Sequence, residues 1–79
     1  MTAQREMTFG EKAVGLTFNP SNNPEVDFCK RGFAEMIDQM NHLRSQAECS
    51  PEVARMASVA ITEAQTAQMW AVKAITWRV

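Results

Sequence analysis

The sequence predicts an all-α protein: a short N-terminal helix, then an antiparallel helical hairpin that assembles as a homo-oligomer. Three observations carry that expectation. From Ser50 to Val79 the chain has no Gly or Pro after Pro51 and is rich in alanine, the best helix former. Ahead of it lies a second long apolar pattern, from Asn23 to Ala47, separated by a break of only a few residues. Such a short connection makes two helices antiparallel neighbours. Finally, the last segment is apolar around nearly its whole circumference, and a helix of that kind must be covered on several sides. One partner helix cannot do that, so self-association is expected before any chemistry.

The first helix is predicted over 8–15. Thr8 and Glu11 have the spacing of a capping box, and Gly15 offers a left-handed stop. A helix this short needs docking to persist, and Phe9, Val14, Leu16 and Phe18 are available as anchors. Met1 to Met7 is polar, lacks a cap and is expected to fray. Asn19 to Asn23 (NPSNN) is a turn cluster.

The second helix is predicted over 24–47. Asn23 caps it, Pro24 takes the first position, and Glu25 and Asp27 suit the positive end of the dipole. Its seam reads Val26, Cys29, Phe33, Met36, Met40, Leu43, Ala47, and Gly32 suggests a close approach. The third helix is predicted over 51–77, with Ser50 as cap and Pro51 at its first position. Val53, Ala57, Ala60, Ala64, Ala67, Ala71 and Ala74 form a small-residue seam that favours tight packing on the second helix. Together these make a single domain spanning 1–79.

Composition narrows the function. A chain of 79 residues with a net charge of −1 lacks the basic excess of a DNA or RNA binder. No apolar run is long enough for a bilayer, so no membrane partner is expected. Two cysteines, Cys29 and Cys49, with no signal peptide ahead of them set a reduced, cytoplasmic protein as the expectation. Zinc-ligand spacings are missing, and neither a metal nor a cofactor is expected. The single histidine, His42, reads as a surface residue, and no acidic pair suits acid–base work, so the protein is not expected to be an enzyme.

Binding is better supported. At helical spacing Thr62, Thr66, Met69 and Lys73 share one stripe, with Gln65 and Trp77 flanking it. Hydroxyls and an ammonium on a face covered by other copies could hold an anionic ligand. The alternative is a polar seam that only fixes oligomer register. Phe9 is either a docking anchor or a ring that stacks on a base. Lys30 and Arg31, by position alone, read as a solvated charge pair.

Two segments, FGEKAVGLTFNPS (Phe9 to Ser21) and EAQTAQMWAVKA (Glu63 to Ala74), resemble a phage family of small helical-hairpin proteins. The family includes the anti-CBASS cyclic-nucleotide sponges and the hairpin part of related anti-Thoeris sponges. The resemblance implies an interlocked homo-oligomer, commonly a hexamer, without catalysis. It implies ligands that are cyclic di- or trinucleotides, or cyclic ADP-ribose isomers, held away from their effector in the host cytoplasm. By that resemblance Phe9 stacks on a base, Asn19 lies near the same pocket, and Lys30 approaches the ligand phosphates. Gln65, Thr66, Met69, Val72 and Lys73 match a spaced pattern in the last helix whose basic position can face a separate trinucleotide site. Here that position is lysine where some relatives have arginine, a point charge in place of a bidentate fork. The alternatives are a structural helical oligomer that binds a host protein, and a sponge for cyclic ADP-ribose isomers.

Overall fold

The computed structural model describes residues 6–78, and these form three helices. Helix α1 spans Phe9–Val14, α2 spans Pro24–Arg44 and α3 spans Pro51–Ile75. The expected flexibility of 1–7 falls mostly on residues 1–5, outside the described part; Met7 packs against the core.

Each helix begins where its capping chemistry allows. The Thr8 hydroxyl accepts from the Glu11 N–H at 3.1 Å, and the Glu11 carboxylate accepts from the Thr8 N–H at 2.9 Å. Gly15 ends α1 in the left-handed region, with φ at 63°. Asn23 accepts from the Glu25 N–H at 2.9 Å, and Ser50 from the Val53 N–H at 3.2 Å. Helix α2 stops at Arg44, short of the expected 47. There the Ser45 hydroxyl donates to the Asn41 carbonyl at 2.7 Å, and Ser45 and Gln46 turn back on the His42 and Leu43 carbonyls.

The two long helices pack along one another, while α1 lies against α2 and touches α3 little. Val14 and Leu16 of the first segment meet Ala34 and Ile37 of α2 and Ile61 and Ala64 of α3 in one core. Of the expected anchors, Phe9 and Phe18 are instead 43% and 70% exposed. Ile37 is fully buried. In α2 the buried line is Val26, Lys30, Ala34 and Ile37, rotated from the predicted seam so that Met36 and Leu43 face outward. In α3 it is Ala57, Ile61, Ala64 and Gln68, and Ala67 and Ala74 are left exposed. A strict seven-residue repeat drifts about 20° per heptad around a straight helix, which is why the alanine seam leaves the contact.

The close approach expected at Gly32 occurs at Gly10. A Cβ on Gly32 would meet nothing within 4 Å, whereas one on Gly10 would lie 2.1 Å from the Ala34 carbonyl oxygen. Gly10 also donates its N–H to Asp38 Oδ1 at 2.7 Å, which pins the start of α1 to the middle of α2. No helix among the described residues is long and apolar enough to cross a membrane.

Candidate functional site

The residues singled out in the sequence fall into three places. The first is the turn after α1. Asn19 organises it: its amide donates to the Asn23 carbonyl at 3.0 Å and to Asp27 Oδ1 at 3.2 Å, and its oxygen accepts from Ser21 Oγ at 2.6 Å. Lys30 reaches the same turn from α2 and is only 5% exposed. It is not a solvated charge. Its ammonium donates to the Gly15 carbonyl at 2.9 Å and to the Phe18 carbonyl, and sits 5.6 Å from the Phe18 ring centroid. A helix leaves its last carbonyls without intrahelical partners, and at the end of α1 the Gly15 carbonyl accepts both from Lys30 and from the Phe18 N–H. An ammonium has three N–H donors, so one remains. A cavity of about 280 Å³ opens here, lined by Asn19, Ser21, Lys30, Val72 and Thr76 among others.

The second place is the outer face of α3. Thr66, Met69 and Lys73 are exposed, and Met69, Trp70 and Lys73 line an open cavity. The Lys73 ammonium lies 5.3 Å from the Trp70 ring and 5.9 Å from the Trp77 ring, a cation held between two aromatic faces. The Thr66 hydroxyl donates to the Thr62 carbonyl at 3.2 Å and keeps its lone pairs free. Gln65, on the side toward α1, donates to the Ala13 carbonyl at 3.5 Å.

The third place is Phe9. Its backbone is fixed by the capping box and by the adjacent Gly10–Asp38 bond. The Arg44 guanidinium lies 5.3 Å from its ring centroid. Arg44 in turn donates through Nε to Asn41 Oδ1 and through Nη1 to Ser58 Oγ, both at 3.0 Å, tying α2 to α3. Sequence reasoning did not single out Arg44 or Asp38. Arg44 reads as a base in the last turn of a helix, and its i−3 relation to Asn41 is the one local signal of a fixed side chain.

These places are not one site within a chain. Lys30 and Arg44 are separated along α2 by about 20 Å at 1.5 Å per residue. The Phe9 ring faces Arg44, late in α2, while Asn19 bonds to Asn23 and Asp27 at its start. Other chemistry is sparse. Burial pushes the Cys29 thiol up, against a smaller opposing pull from Lys30, which makes it less of a nucleophile. His42 is exposed and contacts Gln46. No group of His, Cys, Asp or Glu among the described residues could hold a metal ion.

No curated protein and no solved structure matches the chain. The sequence profile of the family described as "Acb2/Tad1, hairpin domain" does match, over residues 11–76. Those residues contain the whole of α2 and α3 and most of α1. Proteins of this family are cyclic-nucleotide sponges, and the domain binds rather than catalyses. With a helical hairpin of the matching extent, and a profile that runs from inside its first helix to the end of its last, this chain belongs to the Acb2/Tad1 hairpin family.

Proposed function

We propose that this protein is a non-catalytic sponge for cyclic oligonucleotide immune signals, cyclic dinucleotides and also cyclic trinucleotides, and that it blocks CBASS-type anti-phage defence in the host cytoplasm. The family match over 11–76 carries this reading. The arrangement of side chains supports it. Phe9 offers a half-open ring for a base, and stacking on an aromatic is worth about 1–3 kcal/mol per base. Asn19 and Lys30 border a cavity at the opposite end of α2, and Gln65, Thr66, Met69 and Lys73 supply polar and cationic groups along α3.

The ligand lies between copies of the chain, in a closed homo-oligomer of which a hexamer is the expected form. Two features support assembly. The chain is only 12 Å in its smallest dimension, about one helix thick. Phe18, Phe28, Met56, Met69, Trp70 and Trp77 are each at least half exposed, more apolar surface than a small monomer usually shows. The same surface favours a second reading, a helical oligomer that docks on a host protein. The family also spans anti-Thoeris sponges, which makes cyclic ADP-ribose isomers a further ligand class.

A capture-and-release experiment separates these. Purified protein is incubated with cyclic di- and trinucleotides and cyclic ADP-ribose isomers, freed of unbound ligand and denatured, and the released molecules are identified by mass spectrometry. Intact, selectively recovered cyclic oligonucleotide is the expected result. Cyclic ADP-ribose alone would shift the reading to Thoeris, linear products would mean an enzyme, and recovery of nothing from an assembled oligomer would leave the docking module.

A further inference from the structure

The Phe9 ring needs a cation if it is to hold a nucleotide as well as a base, and within the chain Lys30 cannot provide it. Lys30 is about 20 Å from Arg44 along α2, and its ammonium is turned to the Gly15 and Phe18 carbonyls. The charge beside Phe9 is Arg44. Its guanidinium stands 5.3 Å from the ring centroid, and the ring remains 43% exposed. Two of the five guanidinium N–H donors are spent, on Asn41 Oδ1 and Ser58 Oγ. The Ser58 proton is itself given to the Ala54 carbonyl at 2.9 Å, so its oxygen turns lone pairs to Arg44. Both acceptors are neutral, and among the described residues no carboxylate lies within ion-pair distance of Arg44. A half-buried guanidinium without an ion-pair partner among the described residues, and with donors to spare, is fixed in place beside an aromatic ring on a fixed backbone.

We propose that Phe9 and Arg44 form one ligand subsite, in which a base stacks on the exposed part of the Phe9 ring and Arg44 takes an oxygen of the neighbouring phosphate. This rests on the sponge reading and adds to it a phosphate-binding residue. The subsite is preorganised. The capping box and the Gly10–Asp38 bond hold the backbone that carries the ring, while Asn41 and Ser58 hold the guanidinium. Beside the ring, arginine also keeps a planar fork that matches phosphate geometry, which lysine would not.

The test uses the full chain with cyclic di-AMP, cyclic di-GMP, 3′,3′-cyclic GMP–AMP and cyclic tri-AMP as probes, read by calorimetry from low to high salt. For any probe the wild type captures, Arg44→Gln should weaken binding at least tenfold and flatten its salt dependence, because a screened charge pair has been removed. Arg44→Lys should recover part of the loss, and Arg55→Gln, which removes an exposed arginine paired with Glu52 away from the subsite, should stay within about threefold of wild type. A second measurement needs no variant: bound probe should protect Arg44 from phenylglyoxal, read by peptide mass spectrometry. Wild-type-like binding by Arg44→Gln, a loss in Arg55→Gln as large as in Arg44→Gln, or absence of protection would each overturn the subsite and leave the sponge standing. Failure of the wild type to capture any probe would overturn both.

Discussion

Gly10 and Lys30 are the two residues whose physical roles depart furthest from what their identities suggest. Glycine at the second position of a six-residue helix looks dispensable, yet the Ala34 carbonyl occupies the space a side chain would need. Gly10→Ala should therefore lift α1 from α2, with a cost of about 1–3 kcal/mol typical of overpacking. Urea denaturation, together with faster amide exchange in α1 than in α2, would check it. Lys30 gives up most of its hydration to close the end of α1 and the turn after it. Lys30→Ala leaves two carbonyls without their charged donor and should cost about 1.5–3 kcal/mol, seen as a lower melting temperature even without ligand. Loss of ligand in that variant would not by itself identify a phosphate contact. Lys73 is exposed, and Lys73→Ala should change stability by no more than about 0.5 kcal/mol. Weakened capture at unchanged melting temperature would then place Lys73 at the ligand.

At the scale of the helix, capping decides where each element starts and packing decides which face it turns inward. Ser50 begins the 25-residue α3, with Pro51 and Glu52 completing a favourable first turn. Ser50→Ala removes the acceptor for the Val53 N–H and should cost about 1 kcal/mol, measured as a shift in the thermal midpoint. Glu52 and Arg55 pair one turn apart in solvent, and the arginine holds the Glu52 carboxyl below its ordinary range. A depressed carboxylate adds stability above its unfolded pKa and loses it as the pH falls through the folded value. Fully exposed, the pair matters little to the fold.

The whole molecule is a sheet of helices one layer deep, and that is the physical case for assembly. Phe28 is 80% exposed on an apolar groove that also includes Phe33 and Met36. Exposed so fully, it contributes little to the chain's own core. Phe28→Glu should leave helicity and the monomer core intact while lowering the molar mass in sedimentation equilibrium, because a carboxylate would be buried unpaired in any interface built on that groove. An unchanged mass would move the interface to another face. Ligands that bridge subunits stabilise the assembled state by mass action, so a captured cyclic nucleotide should also raise the melting temperature with the logarithm of its excess over Kd.

Local chemistry was legible from the chain alone. The three helices, their caps and the left-handed stop at Gly15 follow from residues that satisfy, or fail to satisfy, backbone groups within a few positions of themselves. The two segments that resemble the sponges lie almost wholly inside the matched region, so family membership was also in the sequence. What tertiary structure decided was orientation. A periodic pattern fixes a stripe only to within a few tens of degrees, and a 3.5-residue repeat drifts on a straight helix. Hence Ala67 and Ala74 came out exposed, and in α2 Lys30 turned inward while Met36 turned outward. The pairing of Phe9 with Arg44 joins residues far apart in the chain through the docking of α1 on α2. No spacing rule encodes it, because it depends on how two helices cross.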